Sequence, residues 1–154
     1  MSTFPFFFTF VDKVEGNGFV ADIRMMGTLL GMKEDDSTWM YGVQPGGIAA
    51  TGQNEDEAFS IFRRTYTSVL FDMAEDADDF TTFKQRVEVF FNEICEETKQ
   101  EWDEAVEAVR RGDIGAEGLE KKNADDHQPY VQVRSVKKPK AGRNMLDEPR
   151  AIAA

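Results

Sequence analysis

The sequence predicts an α+β fold made of a three-stranded antiparallel meander, a helix, an acidic helical insert and a fourth strand. Three observations lead there. The first 43 residues are rich in strand-forming Phe, Val and Thr and are cut by polar, glycine-bearing turns. From Asn54 the apolar period lengthens from two to about 3.6 residues. Strict alternation returns in "YVQVRSV", Tyr130–Val136.

Phe4–Val14 has the composition of a pleated strand. Glu15-Gly16-Asn17-Gly18 follows, and Asn-Gly is a strong hairpin signal because the central positions of that turn take positive φ. Phe19–Leu30 is the partner strand, with Phe19, Ala21, Ile23 and Met25 on one face. Gly31–Ser37 forms a second polar turn, Thr38–Val43 a third strand, and "QPGG" ends it.

Ala58, Phe59, Phe62, Tyr66, Val69, Leu70 and Met73 recur at three- and four-residue spacings, the stripe of an amphipathic helix. Asn54 and Glu57 have the layout of a capping box, and the acidic run Glu75–Asp79 ends the helix. A second stripe begins at Phe80 and runs through Phe83, Val87, Phe91, Ile94, Thr98, Trp102, Val106 and Val109. It keeps one face through Arg111, as one long helix or as two broken near Thr98, with Gly112 as the stop. Residues 113–129 read as loop, with room for a helical turn at Ala116–Lys122. The resulting organisation is one domain, residues 1–136, with a helical insert at 79–111 and a flexible basic tail at 137–154.

Hydrophobic residues make up 41% of the chain and thirteen residues are Phe, enough to build a packed core. The sequence has no run of 18 apolar residues, so no membrane-spanning helix is expected. Its first residues lack the basic start and cleavage pattern of a signal peptide. The single cysteine, Cys95, excludes an intrachain disulfide and fits a reducing compartment, the cytoplasm by default. Net charge is −11 and unevenly spread. From Pro129 onward six Lys or Arg against Asp147 and Glu148 give +4, leaving −15 on the first 128 residues. A body that acidic repels nucleic acid and anionic membranes and favours a basic protein partner.

The stretch Gly46–Phe59, "GGIAATGQNEDEAF", has the small residues of a phosphate-binding loop. However, Glu55, Asp56 and Glu57 already place three carboxylates in the first helical turn, where the helix dipole would hold a phosphate. Neither G-x-x-x-x-G-K-[ST] nor G-x-G-x-x-G occurs. The stretch reads instead as a strand end, a glycine-permitted turn and a capped helix.

The same pieces resemble the HicB-like antitoxin domain. Gly16 to Gly18, Phe19 to Ile23, Pro45-Gly46, Ala50-Thr51-Gly52 and Glu55 to Ala58 match its turn, second strand, small-residue segment and Glu-Glu-Ala-type helix start. The similarity covers about residues 6–74. It implies a truncated RNase H-like unit of three antiparallel strands, a helix and a fourth strand. It also implies a small, basic, RNA-cleaving toxin of the HicA type as partner, and related folds commonly dimerise. The sequence departs from the family in its long link between the second and third strands, in Gly47 where many relatives carry cysteine, and in the acidic insert. No helix-turn-helix or ribbon-helix-helix pattern follows the last strand, so operator binding is not expected.

An RNase H-like fold raises the question of a carboxylate metal centre, for which Asp12, Asp22 and Glu57 are the candidates. "YVQVRSV" adds no carboxylate, and these acids read more simply as turn, surface and capping residues. His127, the one histidine, lies in a polar loop with no nucleophile elbow nearby. Cys95 reads as a packed residue on the apolar side of a helix, beside acids that disfavour a thiolate. Neither has partners at zinc-ligand spacing. "DMAEDADDF" lacks the alternating ligands and glycine of an EF-hand loop. "FPFFFTF" reads as core, and Trp39 and Trp102 as core or interface anchors.

No catalytic, cofactor-binding or metal-binding residue is therefore assigned. The expected function is a non-catalytic, antitoxin-like acidic protein that occludes a basic partner, with carboxylates standing where phosphates would bind. The candidate contacts are Glu55 and Asp56 on the first helix and Glu88, Glu93, Glu96, Glu97, Glu101, Asp103 and Glu104 on the insert. The nearest alternative is an acidic inhibitor that mimics nucleic acid, as phages and mobile elements carry. A metal nuclease is the competing class, and a homo-oligomer paired through a sheet edge is compatible with the first reading.

Overall fold

The computed structural model describes residues 2–112 and 128–136. Its elements are β1 (Ser2–Glu15), β2 (Val20–Lys33), β3 (Thr38–Gln44), β4 (Ala49–Gly52), α1 (Glu55–Asp76), α2 (Phe80–Phe91), α3 (Glu96–Arg111) and β5 (Tyr130–Val136). All five strands join one antiparallel sheet in the order β1-β2-β3-β4, with β5 also on β2. β2 is the spine. One edge pairs with β1 along its whole length, and the other is shared by β5 at Val20–Met26 and β3 at Thr28–Lys33.

Several expectations need correcting. The meander has four strands, because the small-residue segment Ala49–Gly52 pairs with Thr38–Tyr41 as an edge strand. β2 runs three residues past Leu30, because Gly31, Met32 and Lys33 still pair with both neighbours. The insert is two helices, and the break falls at Asn92–Cys95 rather than near Thr98. Its stripe does not keep one face. Phe83, Val87 and Phe91 join the core beneath one side of the sheet, whereas Ala105 and Trp102 pack with Leu30 and Val43 on the other. In the hairpin turn only Gly18 takes positive φ (79°), and Asn17 does not. Asn17 instead donates its side-chain amide to the Glu75 and Ala77 carbonyls at 3.0 and 3.1 Å, capping α1.

The main core lies between the sheet's first face and α1 with α2. On α1, Ala58, Phe62, Tyr66, Leu70 and Ala74 are buried at a four-residue spacing. They meet Phe8 and Phe10 edge-on, with Phe8–Phe62 at 5.3 Å and Phe10–Tyr66 at 5.0 Å. Each fully buried large side chain here contributes roughly 1.5–3 kcal/mol. The helix starts at Asn54, whose Oδ1 accepts from the Glu57 N–H at 2.9 Å. Glu57 returns a bond to the Gln53 N–H at 3.3 Å, one residue before the expected partner.

Along β1 the outward edge is blunted. Gly16 donates to Phe19 across the turn at 2.9 Å, so with unbroken register the even residues of β1 face β2 and the odd ones face outward. Pro5 therefore lacks its N–H on the outward side, where no ladder bond is lost. Arg63 reaches from α1 to donate to the outward Thr9 carbonyl at 3.3 Å while lying over the Phe10 ring. Both features oppose strand addition at this edge.

Candidate functional site

The second face of the sheet is covered in part by α3. The α2–α3 link, Asn92–Cys95, wraps the end of β3: Gly46 donates to the Glu93 carbonyl at 2.8 Å and Cys95 to that of Val43 at 3.2 Å. α3 then crosses the second face toward β1, where Trp102 meets Phe7 edge-on at 5.7 Å and its indole N–H reaches the Phe6 carbonyl at 3.4 Å. Its charges suit its dipole, with Glu96 and Glu97 in the first turn and Arg110 and Arg111 in the last.

Crossing the sheet this way, α3 divides the second face in two. On its β5 side, Lys99, Asp103, Glu107 and Arg110 line a groove of about 380 Å³ with Thr28, Gln44, Gln128 and Pro129. Those four charges pair among themselves, Lys99–Asp103 at 3.0 Å and Arg110–Glu107 at 3.1 Å. At 100° per residue, Glu97, Glu101 and Glu104 fall on the opposite flank, toward Met32 and Tyr41. There Trp39 and Tyr41 stack at 5.8 Å and 7° between planes, half-buried, next to half-buried Met32 and Trp102. This is an aromatic patch bordered by carboxylates.

Beyond the groove lies the part of the face shared by β1, β2 and β5. Register sets Lys13 beside Asp22 and Arg134, Val11 beside Arg24 and Gln132, and Thr9 beside Met26 and Tyr130. Arg24 reaches Asp22 at 3.4 Å.

The carboxylates nominated from sequence are scattered by this arrangement. Glu96, Glu97, Glu101, Asp103 and Glu104 are exposed on α3 over the second face. Glu88 is half-buried on α2 beneath the first face, and Glu93 is exposed in the link. Glu55 and Asp56 open α1, where Glu55 is held by Lys33 at 2.6 Å. By the same helical spacing, Glu97, Glu101 and Glu104 share the flank of α3 that faces away from the groove.

Asp12, Asp22 and Glu57 are not brought together. Asp12 and Asp22 occupy opposite faces of the β1–β2 pair. Glu57 lies by Gly52, which pairs through Thr38 to Lys33 at the far end of β2, roughly 35 Å along the strand from Asp22. Among the described residues no three His, Cys, Asp or Glu are grouped to hold a metal ion. Cys95 is not on an apolar helix face but at the start of α3, half-buried, with its Sγ 3.1 Å from the Thr98 hydroxyl. His127 and the tail lie outside the described residues, as does the possible turn at Ala116–Lys122. No described helix is long and apolar enough to cross a membrane.

Two titratable groups depart from ordinary behaviour. Burial pushes the Tyr66 phenol well above its usual value of 10, and its hydroxyl, sealed in the aromatic core, has no hydrogen-bond partner among the described residues. The Thr82 N–H, donating at 2.8 Å to the α2 cap Asp79, holds that carboxyl below its usual 3.8.

Sequence reasoning missed the aromatic patch as a unit. Its signal was present in "TWMYGV", where Trp39 and Tyr41 alternate with buried Met40 and Gly42, apolar on both faces of one strand. No family model, curated protein or solved structure matches the chain.

Proposed function

We propose that this protein is a non-catalytic, acidic binding protein, antitoxin-like in action, that neutralises a basic protein partner by occlusion. The observation that carries the reading is the stacked, half-exposed Trp39–Tyr41 pair beside Met32 and Trp102, on the side of α3 where helical spacing puts Glu97 and Glu101. Trp, Tyr and Met are the residues that anchor protein interfaces, and a polar rim around them excludes water. The carboxylates favour a basic partner and speed its approach more than they set the final affinity. The resemblance of residues 6–74 to the HicB-like domain supports the same reading and makes a small RNA-cleaving toxin the leading partner class.

Affinity capture from the native host, washed at rising salt and read by mass spectrometry, tests it. A small basic protein should be retained in stoichiometric amount and released by salt. Trp39→Ala should lose that protein at lower salt than the unaltered chain, and Glu97→Lys with Glu101→Lys should fail to retain it. Recovery of this chain alone, or retention indifferent to both variants, would reduce the acidic charge to a role in solubility.

A further inference from the structure

We propose that residues 137–148 dock back onto this chain's own groove between α1 and α2. On the outer side of these helices Met73, Gln85, Arg86, Val89, Phe90 and Glu93 line a groove of about 440 Å³. Its lining is apolar along the middle, with Met73 and Phe90 half-buried and Val89 63% exposed. Adjoining apolar side chains left open along a helix groove are a surface that an apolar segment covers.

The border of the groove is acidic. Residues 72–79 carry Asp72, Glu75, Asp76, Asp78 and Asp79 with no Lys or Arg. At 100° per residue, Asp72 and Asp76 share the Met73 side of α1. Lys84 and Glu88 fall on the flank of α2 turned away from Arg86 and Phe90. Arg86 is thus the one cation in the lining, against Asp72, Asp76 and Glu93. Among the described residues no cation lies within ion-pair distance of Asp72, Asp76 or Asp78.

The occupant follows from where β5 ends. Val136 pairs with Val20, next to Phe19, whose ring meets Phe80 and Phe83 of α2 at 6.1 and 5.3 Å. The far end of α2 lies at β3, where Gln44 donates to Asn92 at 3.2 Å. The chain therefore leaves β5 beside the first turn of α2 and the acidic link before it. From there it carries Lys137, Lys138, Lys140 and Arg143, then Met145-Leu146, then Asp147 and Glu148. That order matches the surface. The cations pass the carboxylates of residues 72–79, the apolar pair reaches Val89 and Phe90, and the two acids meet Arg86.

Reach is ample. Met145 lies nine residues beyond Val136, up to about 30 Å of extended chain, whereas Phe80 to Phe90 is about 15 Å of helix. A segment tethered this close meets the groove at an effective concentration in the millimolar range, which a second copy in dilute solution does not match. The groove lies across the sheet from the aromatic patch, so the inference does not rest on the proposed protein partner.

The test is nuclear magnetic resonance of the full chain with isotope-labelled methyl groups. The Met145 and Leu146 methyls should show through-space contacts to Met73 or Val89, and residues 137–148 should tumble with the core. Met145→Asp with Leu146→Asp should remove those contacts and raise the freely moving fraction of the segment about ten-fold. Methyl signals of Ile23 and Leu29, buried in the sheet core, should stay in place and control for folding. Free motion of residues 137–148 in the parent chain overturns the proposal, as do contacts from them to any other surface. Contacts that appear only between a labelled and an unlabelled chain in a mixed sample also overturn it, because a second copy would then be the occupant.

Discussion

A Cβ placed on Gly46 would stand 2.5 Å from the backbone nitrogen of Cys95. The glycine that suggests a phosphate loop in the sequence is thus the point where the α2–α3 link crosses the sheet edge. Its own N–H holds that link through Glu93. Gly52 does the same for α1, with a Cβ there meeting the Ala58 nitrogen at 2.6 Å. The small residues of "GGIAATG" serve close packing of backbone on backbone.

Gly46→Ala should therefore cost about 1–3 kcal/mol, through strain against backbone that cannot swing aside. Gly47→Ala, whose Cβ would meet only the Phe90 ring edge at 3.4 Å, should stay within about 0.5 kcal/mol of the parent. Urea denaturation of the two variants measures the contrast. Hydrogen exchange should show α3 loosened in the first and unchanged in the second.

Tyr66→Phe should stabilise the protein by about 1 kcal/mol, because it removes a buried hydroxyl with no partner among the described residues while keeping the ring against Phe8 and Phe10. A fall in the urea midpoint would mean that the hydroxyl is satisfied in solution.

The same phenol makes folding sensitive to alkali. Its folded-state ionisation lies above its unfolded value of 10, so the stability it protects is complete below pH 10 and declines as pH rises past that value. Thermal midpoints should fall above about pH 10 in the parent and fall less in Tyr66→Phe.

At acid pH the sign is opposite. Asp79 is held below 3.8 by the Thr82 N–H, so its contribution to the start of α2 is present above that pH and is lost as pH falls through its lowered value. Asp79→Asn keeps the accepting oxygen and should show a shallower loss of stability between about pH 4 and pH 2, measured by circular dichroism.

Much of the fold was legible because local chemistry and tertiary demand agree. The α1 stripe, the Asn54 cap and the β1–β2 hairpin all follow from spacing and turn residues. The legibility failed where a residue's neighbour is distant in sequence. Ala49–Gly52 has a single strand-forming side chain, Thr51, and becomes a strand because β3 offers an open edge. The insert kept an apparently continuous stripe, yet Phe91 and Trp102 lie on opposite sides of the sheet, because the link turns the edge between them. The candidate surface was half legible. The acids of α3 could be read, but which of them lie on the side of Trp39 and Tyr41 depends on the direction in which α3 crosses.

The central claim is that the aromatic patch and its acidic border form the partner-binding surface. A hydrogen–deuterium exchange footprint of the complex with the captured basic protein addresses it most directly. The account predicts that protection appears in β3 around Trp39–Tyr41 and along α3, with the α1–α2 side of the molecule unchanged. Protection confined to α1 and α2, with β3 and α3 exchanging as in the free protein, would contradict it.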